Sequence, residues 1–110
     1  KSALKEATGV DFDAEKEKQR EKILADAKKQ ADALKANAQI QADKVKKEGY
    51  AQADKLVAEA GSNILKKKVA EEAAKQLRQQ TDKQVNSLLQ EANLQADKIM
   101  KEAEAQAAKI

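Results

Sequence analysis

The chain has 110 residues, room for one domain; 37% of them are charged and 2% aromatic, with one Phe, one Tyr and no Trp. That composition excludes a thick globular core, and the absence of His and Cys excludes imidazole and thiolate chemistry and any disulfide framework. The 22 basic and 19 acidic residues give a formal net charge of +3 but are interspersed, the pattern of solvated helix faces rather than of a nucleic-acid groove.

Residues 1–11 read as a lead segment and linker. Two helical turns fit residues 1–8, and Gly9 reads as a helix stop. Residues 10–13 are expected to be a connector. Asp11 or Asp13 can cap the next helix, and Val10 and Phe12 can fold onto its first turn. From Phe12 to Ala60 nothing but Gly49 breaks a helical pattern, and no Pro occurs. Asp43 and Lys47 stand at the four-residue spacing that favours an acid-to-base pair. Gly61-Ser62-Asn63 is the credible turn: Gly61 suits a left-handed residue after a helix end, and Ser62 or Asn63 can cap a second helix. That second helix is expected over 64–110. The competing arrangement is one continuous, kinked helix. The chain opens without Met and stops inside a repeat after Gln106, so it is expected to be a segment of a longer protein.

Gln41-Ala42-Asp43-Lys44 recurs eleven residues later as Gln52-Ala53-Asp54-Lys55, and in the second half as Gln95-Ala96-Asp97-Lys98. Eleven residues make three turns at about 3.67 residues per turn, so a stripe with this period stays on one face. With the glutamine as position one, position five is Ile23, Leu34, Val45 and Leu56, then Leu77, Leu88, Ile99 and Ile110, all large aliphatics; only the short repeat after the turn departs, with Lys66. Position nine is Ala27, Ala38, Gly49 and Ala60, then Ala70, Thr81, Ala92 and Ala103, all small. Small residues along a seam let two helix backbones approach to about 8–10 Å or closer. The pattern predicts an all-α fold: a long antiparallel two-helix coiled-coil hairpin with an alanine-centred seam. If the chain folds back, position five is expected to meet position five, with Leu34 near Leu88, Val45 near Leu77 and Ile23 near Ile99. The reversal then centres on residue 61, and Gly49 lies near Ala70 and Ala38 near Thr81.

Chemistry-bearing constellations are missing. The three glycines are far apart, so no phosphate loop exists. Asp43, Asp54 and Asp97 recur along helices, with successive ones about 16 Å apart, too far to share an ion. Neither catalysis nor a metal or other cofactor is expected. Two features invite a partner. Lys66, Lys67 and Lys68 follow Ile64-Leu65 and suit an anionic partner or a headgroup surface; alternatively they are solvated while Ile64, Leu65 and Val69 close the hairpin against Leu56 and Val57. At position six, Leu24, Val57, Leu89 and Met100 either widen the seam or pair two hairpins into four helices. Ile40, Tyr50 and Leu94 are expected to point away from the seam.

The lysine- and alanine-rich repeat of residues 41–51 resembles those of apolipoprotein-like, synuclein-like and late-embryogenesis-abundant helices, which implies binding at a membrane surface. Nearly the whole chain is also similar to ATP-synthase peripheral stalks and envelope-spanning adaptor hairpins, and to the helical tails of bacterial AsmA-like envelope proteins. These resemblances imply a structural element, in a bacterial cell envelope or periplasm, and carry no functional residue over. The sequence therefore predicts a non-catalytic spacer, stalk or protein-interaction arm. Its partner is a second copy or another protein, with an amphipathic helix on an anionic membrane as the alternative. Neither nucleic acid nor a small-molecule substrate is expected.

Overall fold

The computed structural model describes residues 12–110. The lead segment and linker, with the roles assigned to Gly9, Val10 and Asp11, lie outside the described residues. The fold is an all-α helical hairpin of two long helices, α1 over Phe12–Ala60 and α2 over Ile64–Ala108. Phe12 and Asp13 already belong to α1 and are not connector residues. Asp13 and Glu15 stand in its first turn, where negative charge meets the positive end of the helix dipole. α2 stops at Ala108, before the expected 110. Its end tightens as the amides of Lys109 and Ile110 donate to the carbonyls of Gln106 and Ala107 at 3.1 and 3.2 Å.

α1 ends because Gly61 takes φ +62°, the left-handed conformation that glycine enters without a steric penalty. Its amide donates to the Ala58 carbonyl at 3.2 Å. α2 starts because Asn63 caps it. The Asn63 Oδ1 accepts from the Lys66 amide at 3.1 Å, and the Asn63 carbonyl accepts from the Lys67 amide at 2.8 Å. Of the two candidate caps, the structure uses Asn63 and not Ser62. Along the α1 surface, Gln39 Nε2 donates to Asp43 at 2.9 Å, so Asp43 takes a partner one turn before it and not Lys47.

Packing divides the chain into two compact units: residues 34–94, which hold the turn, and residues 12–33 with Gln95–Ile110. In the first, the buried residues are Ala38, Ala42, Ala53, Ala74, Ala92 and Thr81. In the second they are Ala27, Ala31, Ala96, Ala103 and Ala107. Among the described residues no large side chain is fully buried. The core is thus a line of methyl groups. It stabilises through close backbone approach and many weak dispersion contacts, not through bulky apolar burial.

Candidate interaction surfaces

The two helices of the turn-bearing unit approach closely at Gly49. A Cβ placed there would lie 2.6 Å from Cγ2 and 3.0 Å from Cβ of Thr81, with the Thr81 hydroxyl nearer still. Thr81 cannot swing away freely. Its hydroxyl donates to the Leu77 carbonyl one turn back, at 2.8 Å, which fixes the rotamer. Gly49 therefore serves as the smallest half of a facing pair, and its helix penalty of about 1 kcal/mol is the cost of that fit.

This contact overturns the expected alignment. Gly49 faces Thr81 and not Ala70, so position nine meets position nine. The point of reversal moves from residue 61 to 65, midway between Gly49 and Thr81. Carried along the same unit, this register sets Ala38 level with Ala92 and not with Thr81. It also sets Leu77 level with Ala53, and Leu88 level with Ala42. Large then opposes small, which is why Ala42, Ala53 and Ala74 are fully covered. Matching large aliphatics across the seam, Leu34 with Leu88 and Val45 with Leu77, would instead have held the backbones apart. In the other unit Ala27 and Ala103 line one groove together with Ile23 and Ile99, again position nine with position nine.

The alanine at position two is core that the sequence pattern did not single out, although it belongs to the tetrad that defines the repeat. The buried and half-buried stripe in α2 runs Ala70, Ala74, Leu77, Thr81, Val85 and Leu88, in steps of four, three and four residues. Position two completes the eleven. The signal was the spacing itself: four residues after position nine comes position two of the next repeat. Of the position-five residues, Ile23, Leu34, Val45, Leu77, Leu88 and Ile99 are half-buried, and Leu56 is exposed at 38%.

Beside the close approach sits a polar clamp that sequence alone also did not reveal. Tyr50 does not point away from the partner helix. Its hydroxyl donates to Asp82 at 2.9 and 3.1 Å to the two carboxylate oxygens. Arg78 donates to Asp54 at 2.7 Å, and its guanidinium lies 5.8 Å from the centre of the Tyr50 ring, with the Lys46 ammonium at 5.6 Å. The hydrogen bond to Asp82, then burial and the Asp82 charge, raise the Tyr50 pKa above its ordinary value, with Arg78 opposing. Position ten links to position ten here, and Gly49 brings the two helices close enough for a phenol to span them. Ile40 and Leu94 do face solvent.

The tip has the opposite character. Residues 61–69 are all exposed. Ile64, Leu65 and Val69 expose 71%, 78% and 72% of their surfaces, so they do not close the hairpin against Leu56 and Val57. The shifted reversal is the cause: the last level pair is Ala60 with Ala70, and the first turn of α2 stands beyond it. Leu65, Val69, Leu56, Ala60, Ala70 and Ala73 line a largely apolar groove, which Lys66 and Glu59 also line. Lys66, Lys67 and Lys68 are exposed, and α2 has no acidic residue in its first turn. On the flank, Leu24 and Met100 in one unit and Val57 and Leu89 in the other are half-buried.

Among the described residues no group of His, Cys, Asp and Glu is placed to hold a metal ion, and no helix is long and apolar enough to cross a membrane. No family model matches the chain, and no curated protein or solved structure matches it either.

Proposed function

We propose that the chain is a non-catalytic structural element, a helical spacer, stalk or interaction arm whose work is mechanical. The observation that carries this reading is the pairing of Gly49 with Thr81 inside an alanine seam. The chain devotes its small residues to bringing two backbones together, and the polar side chains near that contact tie one helix to the other. A helix advances about 1.5 Å per residue, so helices locked in register hold whatever they carry at set spacings. Half-buried Leu24, Leu89 and Met100 are the candidate contacts with a second helical pair, in a copy of this chain or in another protein.

The competing reading, an amphipathic helix lying along an anionic membrane, requires the alanine faces to leave the seam. Circular dichroism in plain buffer, with mass measured by size exclusion and light scattering at several concentrations, separates the two. Full helicity without lipid, at the mass of one or two chains, is the expected result. Low helicity that climbs steeply on adding anionic vesicles and collapses at high salt would overturn the structural reading.

A further inference from the structure

We propose that the tip of the hairpin docks on an anionic lipid surface, with Leu65 and Val69 entering the headgroup boundary and Lys66, Lys67 and Lys68 meeting the phosphates. This goes beyond the structural reading, which needs no membrane. Three large apolar side chains are concentrated in the first turn and a half of α2, each more than two-thirds exposed. No acidic residue lies between Ala60 and Ala70. Lys66, Lys67 and Lys68 are the one run of three consecutive cations in the chain, with Glu59, Glu71 and Glu72 flanking it on either side.

Charge decides the occupant. A second copy would bring two lysine triplets together and is repelled. A protein partner is disfavoured by chemistry, since lysine is depleted from the buried centres of protein interfaces. Lipid suits the arrangement, because Lys68 comes one helical turn after Ile64 and so sits among the apolar residues. The long stem of a lysine lets its ammonium rise to the headgroups while neighbouring apolar side chains go deeper.

The test is sedimentation of the whole chain with vesicles of three parts phosphatidylcholine to one part phosphatidylglycerol, with helicity recorded in the same titration. The wild-type chain is expected to bind with unchanged helicity. Replacing all three lysines (Lys66→Gln, Lys67→Gln, Lys68→Gln) should weaken binding on the order of a hundredfold. The pair Leu65→Gln and Val69→Gln should weaken it about tenfold or more. A helical wild-type chain that ignores these vesicles sinks the docking and leaves the hairpin reading standing. Binding that needs the lysines but not Leu65 and Val69 also overturns the proposal, since it marks diffuse attraction of a basic patch. Failure on vesicles together with capture by polyglutamate, lost in both variants, would assign the tip to an acidic protein instead.

Discussion

Two places in the turn-bearing unit, twelve residues apart along either helix, present opposite surfaces. Around Gly49 and Thr81 the facing side chains are the smallest available, and polar groups bridge the helices. At residues 64–69 the side chains are large aliphatics and lysines, and all of them are exposed. The difference shows that helix approach here is set where two small residues face each other, and that this contact dictates the rest of the register. Aligning the waist in this way forces the first turn of α2 beyond the last facing pair, and the apolar tip is the consequence.

The largest expected effect breaks the waist. Gly49→Leu should lower the melting temperature by roughly 10 °C or more, since overpacking costs about 1–3 kcal/mol and each kcal/mol moves the midpoint by about 4–8 °C in a domain of this size. Gly49→Ala is the sharper probe. Helix propensity alone favours alanine by about 1 kcal/mol, yet the new Cβ overlaps a threonine that is held in place. The variant should melt below wild type. Adding Thr81→Ala removes the hydroxyl and Cγ2, and should return much of the loss. Additive thermal shifts in that cycle would mean the two residues do not face each other.

Next in size is the clamp. Tyr50→Phe should lower the melting temperature less than Gly49→Leu, because it removes the bond to Asp82 and leaves the seam intact. Its pH dependence carries a defined sign. The folded Tyr50 pKa is raised, so the folded state holds the phenolic proton more tightly than the unfolded chain does. The stabilisation is therefore fully present below the ordinary tyrosine pKa of about 10 and is lost as pH rises through the folded value. Comparing wild type with Tyr50→Phe across that window subtracts the titration of the lysines. A difference that stays constant through it would mean Tyr50 does not hold Asp82.

The hairpin itself was readable because its signals are local. An absence of Pro, an eleven-residue rhythm and Gly61-Ser62-Asn63 need no knowledge of what lies opposite. Register was not readable in that way. It depends on which facing pair is tightest, and the aliphatic rhythm that favours Leu34 against Leu88 gives way to the contact of Gly49 with Thr81. The alanines at position two are silent in sequence for a related reason. A methyl looks blank in sequence and becomes core only once a leucine stands across from it. Tyr50 reads as peripheral because its angle on the helix points aside, and only the nearness created by its neighbour Gly49 lets it reach across.

A smaller effect is expected of the Arg78–Asp54 pair. The Asp54 side chain is 73% exposed, so the pair is worth at most about 1 kcal/mol and is screened by salt. Asp54→Asn should lower the melting temperature slightly at low ionic strength and leave it unchanged at about 1 M salt. A loss that persists at high salt would point to the stacking of Arg78 on Tyr50 as the stronger tie, which Arg78→Lys would then expose.

The smallest expected effect lies at the tip, and it tests the register from the other end. Leu65 and Val69 gain almost nothing from the folded state where they stand, so Leu65→Gln with Val69→Gln should move stability by no more than about 0.5 kcal/mol each. Centred on residue 61, the reversal would have let these side chains close onto Leu56 and Val57, and removing them would cost several kcal/mol. A thermal melt of this one variant thus distinguishes the two alignments without touching Gly49. An unchanged midpoint places the reversal at 65 and leaves the tip free for a partner. A fall comparable to that of Gly49→Leu would mean that the tip closes in solution and that the waist does not govern the register.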